Sequence, residues 1–121
     1  MYHIVFDAAA HLLTINWTGH VDVAEVQRCH QELQQHLAEI KPGLRILTDL
    51  SGLGSMDFEC SAQIDRIMDL FNAAGVNTIV RIIPNPRKDI GFNIMSWFHY
   101  RHGIHIMTCE TVEEAKRILQ P

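Results

Sequence analysis

The stretch LTDLSGLGSMDFECSAQI, residues 47–64, decides how the chain is read. It opens as a short apolar run of the kind that fills a buried strand. Gly52 and Gly54 then interrupt it. Asp57 and Glu59 follow, just ahead of Cys60, Ile64, Ile67, Met68 and Phe71, which recur every three or four residues. That spacing lays the apolar groups on one face of a helix. The stretch therefore predicts a strand ending at Leu50, a glycine-containing loop, and a helix closed by Gly75 at its C-cap. In an open α/β sheet, ligands and partners meet the loops at the carboxyl ends of strands, and this loop is one of them.

The same rules carry outward. YHIVFD and HLLTINWT are runs rich in β-branched and aromatic residues, separated by a short break at Asp7 to Ala10, and read as a hairpin. Asp22 and Glu25 have capping-box spacing, with Val21 and Val26 placed as a hydrophobic staple. Val23, Val26, His30, Leu33, Leu37 and Ile40 mark the inward face of the helix they open. After residues 47–64, NTIVRII reads as a strand closed by PNP. Residues 87–102 read as a third helix, IHIMT as a last strand, and TVEEAKRIL as a last helix boxed by Thr111 and Glu114. The order is β-β-α-β-α-β-α-β-α. It predicts one α/β domain over residues 1–121, with a mostly parallel sheet and an antiparallel edge from the hairpin.

Composition narrows the job. The 121 residues are 47% hydrophobic and 20% charged, which suits a globular core. A formal charge of −4 and a pI near 6.0 argue against nucleic acid, whose binders present a basic face, and against docking on anionic lipid by charge. No apolar run is long enough for membrane insertion. Cys29, Cys60 and Cys109 are odd in number and widely spaced, so they read as core thiols in a reducing cytoplasm. The N-terminus lacks a basic n-region. No P-loop, GxGxxG, HExxH or nucleophile elbow occurs, and no cofactor is called for. His99, His102 and His105 are evenly spaced but broken by Gly103, and read as solvated or helix-end histidines in preference to a metal site.

With those residues in view, the element order together with LTDLSGLGSMDFE and AAGVNTIVRII resembles the STAS domain, and among its members the stand-alone SpoIIAA-like proteins related to anti-sigma-factor antagonists. The resemblance covers essentially the whole chain. It implies a non-enzymatic regulatory module that binds a protein partner. In that pattern a strand ending Asp-Leu-Ser precedes a hydrophobic residue, an Asp, two hydroxyl residues and a Gly, the second hydroxyl being the phosphoacceptor. Here the strand end is Asp49-Leu50-Ser51, the hydrophobic residue Met56 and the Asp Asp57. Phe58 and Glu59 stand in place of the hydroxyl pair and Cys60 in place of the glycine. The implied partner loop comprises Ser51, Gly54, Ser55, Asp57, Phe58 and Glu59, acidic where the family is phosphorylated.

Two readings of that loop follow from charge alone. Asp57 as cap and Glu59 in the first turn would stabilise a helix N-terminus by about 0.5–1 kcal/mol each. Alternatively they form a permanently acidic recognition surface. A second feature lies in the third predicted helix, where Ile90, Ile94, Trp97 and Phe98 share one arc and Phe92 and Met95 continue it round toward His99, so that apolar groups span roughly 220° at ~100° per residue. That width predicts either extra covering chain or a contact face for a homodimer, a protein partner or an apolar small molecule.

Overall fold

The computed structural model describes residues 1–83 and 104–120. Among them five strands form one sheet: β1 (Tyr2–Asp7), β2 (Leu12–Val21), β3 (Arg45–Met56), β4 (Thr78–Ile82) and β5 (His105–Cys109). They lie side by side in chain order, β1 antiparallel to β2 and every later pair parallel. Helices α1 (Val23–Leu37), α2 (Cys60–Ala73) and α3 (Val112–Leu119) complete the described elements. The helix expected over residues 87–102 lies outside the described residues.

The hairpin forms where the break was expected. The Ala10 N–H reaches Asp7 Oδ1 at 3.1 Å, and His11 turns the chain with φ at 50°. The α1 cap also forms as its spacing requires, with Asp22 accepting from the Glu25 N–H at 2.9 Å. Thr111 does the same for α3 through the Glu114 N–H at 3.1 Å. Along α1 the buried face is Val26, Cys29, Leu33 and Leu37, with His30 half-buried beside it.

The core has two parts because the middle strands are covered on both sides. Leu13, Ile15 and Trp17 of β2, Ile46 and Leu50 of β3, and Ile79 of β4 pack with α1 and α2. On the other face Leu47, Val80, Ile82 and Cys109 pack with Ala115 and Leu119 of α3. Apolar groups on alternate sides of β3 are what a central parallel strand needs. Arg45 fastens the far end, donating from its guanidinium to the Leu119 carbonyl and, at 2.5 Å, to the Ala10 carbonyl.

One boundary differs from expectation. The strand does not stop at Leu50 but continues through both glycines to Met56. The second half of β2 supplies the partner, pairing Thr18 with Gly52, Gly19 with Leu53, His20 with Ser55 and Val21 with Met56. The register shifts between Asn16 and Thr18 and again between Gly19 and His20. A Cβ on Gly52 would stand 2.8 Å from Thr18 Cγ2, so a glycine lets the irregular ladder close there. Leu53 and Met56 of this extension are buried.

Candidate functional site

The extension carries β3 to the same end of the sheet as the end of β2. There the Asp57 N–H donates to the Val21 carbonyl at 3.0 Å, which fixes the turn leading into α2. Ser55 lies opposite His20, and its Oγ is 2.6 Å from His20 Nδ1. His20 Nε2 lies 3.0 Å from Asp57 Oδ1. When Nε2 carries the ring proton it donates to the carboxylate, and Nδ1 then accepts from the Ser55 hydroxyl. Three side chains, one from the end of β2 and two from the end of β3 and the turn that follows it, are joined in one line.

The start of α2 differs from the capping arrangement expected of it. Glu59 occupies the cap position in a helical conformation and makes no side-chain cap bond. The Cys60 N–H is taken by the Asp57 carbonyl at 2.9 Å, and the Ser61 N–H by the Phe58 carbonyl at 3.1 Å. Backbone carbonyls of the preceding turn thus do the work, and the Asp57 carboxylate turns to His20. Glu59 is left exposed, and Phe58 stands 68% exposed between the two acids.

Cys60 reports the local field. Its thiol is buried and pushed up from 9.0 to about 11, first by burial and then by the carboxylates of Asp57, Asp22 and Glu59, against a backbone hydrogen bond at Asp57 that lowers it. Three carboxylates therefore act on one point at this end of the molecule. Ser51 belongs to an adjoining contact, donating through its N–H and hydroxyl to Asp49 Oδ1 at 2.9 and 2.5 Å. Gly54 packs against Gly19, its would-be Cβ 3.5 Å from that carbonyl oxygen.

The Ser55–His20–Asp57 line has the hydrogen-bond order of a base-activated hydroxyl. Its setting is open to solvent. The side chains of His20 and Asp57 are 56% and 42% exposed, so water competes with any group that would hold a developing negative charge. The line works as a polar clasp between strand ends, a pair of the exposed kind worth about 0–1 kcal/mol.

Of the residues singled out in the sequence, Ser55 and Asp57 meet through His20. Phe58 and Glu59 form the exposed tip, and Ser51 and Gly54 support the strand below it. His20 had no local signal, because its partners lie far along the chain and are set by the shifted register. Phe92, Met95, Trp97 and His99 lie outside the described residues. So do His99 and His102 of the histidine series, while His105 is exposed at the start of β5. Among the described residues no three His, Cys, Asp or Glu side chains gather within metal-binding range. No described helix is long and apolar enough to cross a membrane.

The fold is that of the STAS, SpoIIAA-like proteins. No protein-family profile matches the sequence, and no curated protein does. The chain is similar to the anti-sigma-factor antagonist SpoIIAA in its unphosphorylated form, with TM-score 0.68 and 12% identity over 98% of this chain and 96% of the other. It is similar to a protein with a SpoIIAA-like fold from Shewanella loihica, with TM-score 0.71 and 16% identity over 98% and 94%. It is also similar to a serine-to-glutamate variant of RsbS from Moorella thermoacetica, with TM-score 0.65 and 14% identity over 97% and 92%. At these identities the likeness is one of fold.

Proposed function

We propose that the chain is a non-enzymatic regulatory module that docks a protein partner through the turn Asp57-Phe58-Glu59. The observation that carries this reading is Phe58, a large apolar side chain left 68% exposed between two carboxylates at the carboxyl end of the central strand. Aromatic groups ringed by polar ones are frequent anchors of protein interfaces. The fold is shared with an anti-sigma-factor antagonist, which makes a regulatory protein the fitting kind of partner.

In this reading the surface is fixed and not switched. Glu59 stands where the family pattern places its phosphoacceptor, so one negative charge is present without modification. A carboxylate reproduces only part of a phosphoryl group, which carries about 1.5–2 charges and three acceptor oxygens. The complementary partner offers an apolar pocket rimmed by Lys or Arg.

The test compares parent, Glu59→Gln and Phe58→Ala for affinity to a partner recovered on the immobilised protein, at low and high salt. Glu59→Gln removes charge alone, and it should weaken binding and flatten its salt dependence. Phe58→Ala should weaken binding at both salt concentrations. Unchanged affinity in both variants would return the turn to a plain helix start.

A further inference from the structure

Under α2, on the sheet face that holds the larger core, lies a cavity walled by Ile15, Trp17, Thr48, Ile64, Met68 and Phe71. It has about 10 Å³ of free space for the centre of a water molecule. Three of its lining residues, Trp17, Thr48 and Arg81, carry polar side-chain groups. The Trp17 side chain is 1% exposed, and its Nε1–H has no hydrogen-bond partner, alone in this among the buried side-chain donors and acceptors of the described residues. Thr48 is 3% exposed and is the one buried polar residue among those described. It pairs in register with Ile15, two residues from Trp17, so Thr48, Ile15 and Trp17 share one face of the sheet.

A buried N–H without an acceptor is costly, and native interiors leave few of them. An enclosed water needs roughly 10–15 Å³ of such space and two to four polar partners. The cavity reaches the lower bound of that volume, and Trp17 and Thr48, both in its lining, each carry a polar group. Arg81 also lines it, and its Nε donates to Thr108 Oγ1 at 2.6 Å, carrying the polar row across β4 to β5.

We infer that this cavity is a built site for one small hydrogen-bond acceptor, a single water molecule, which accepts from the Trp17 indole and bonds the Thr48 hydroxyl. The site does not depend on the docking reading. Its volume excludes anything of lipid size unless α2 lifts from the sheet.

The experiment is a crystal structure of the full chain at a resolution that shows ordered water, paired with NMR of the indole protons. The two tryptophans are told apart by a Trp97→Phe variant. The expected result is one density peak within hydrogen-bond reach of Trp17 Nε1 and Thr48 Oγ1, and an indole-to-water cross-peak in solution. Thr48→Val keeps the volume but removes the hydroxyl, and should lose both signals. A dry cavity, an indole N–H bonded to a protein acceptor, or a water unaffected by Thr48→Val would overturn the assignment. If the valine variant does not fold, the parent measurements still decide the first two outcomes.

Discussion

At residue scale the site separates a held acid from a free one. Asp57 is tied to His20, and His20 to Ser55, while Glu59 and Phe58 face solvent. His20→Ala should release Asp57 at little cost to the fold, a change within about 1 kcal/mol in urea unfolding, because the pair is exposed. A loss above about 2 kcal/mol would mean that the clasp holds the structure together. If the proposed fixed, unswitched surface is right, intact mass of protein from its native host should carry no phosphoryl group on this turn. A stoichiometric adduct at Ser55 or Ser61 would contradict that. The two acids of this site were visible in the sequence because helix starts favour them. Their separate roles were not, because His20 reaches Asp57 only after β2 and β3 have shifted register between Gly19 and His20.

At the scale of elements, β3 is central and packed on both faces. Leu50→Ala should therefore cost about 2–4 kcal/mol in denaturant unfolding. A loss under about half a kcal/mol would remove Leu50 from the core. Gly75 ends α2 with φ at 82°, and a Cβ there would stand 2.8 Å from Pro42 Cβ. Gly75→Ala should destabilise by at least about 1–2 kcal/mol, the usual cost of a left-handed conformation with a Cβ. Equal stability would show that the cap can rebuild. The inward face of α2, Cys60, Ile64, Ile67, Met68 and Phe71, was legible because helical periodicity is local. The extent of β3 was not. Gly52 and Gly54 resemble strand breakers in isolation, and only the second half of β2 makes them ladder residues.

For the whole molecule, the three thiols are buried, and all are pushed up from 9.0, Cys29 to about 12 and Cys60 to about 11, with burial the largest cause. Below pH 9 folded and unfolded chains both keep these protons. Between about pH 9 and 11 the unfolded chain releases thiol protons that the folded chain retains, so stability falls as pH rises. Urea midpoints should be lower at about pH 10.5 than at about pH 8 if these shifts govern the alkaline limb, and Cys29→Ala should shrink the difference. A midpoint constant over that interval would contradict the burial. The claim on which the functional account stands is that the turn at Phe58 is where a partner binds. The direct measurement places a photo-crosslinking phenylalanine analogue at position 58 in cells of the native host, with the same analogue at exposed Ile118 on α3 as control. Position 58 should give a discrete crosslinked protein that is missing from position 118. No crosslink at 58, or the same product from both positions, would contradict it.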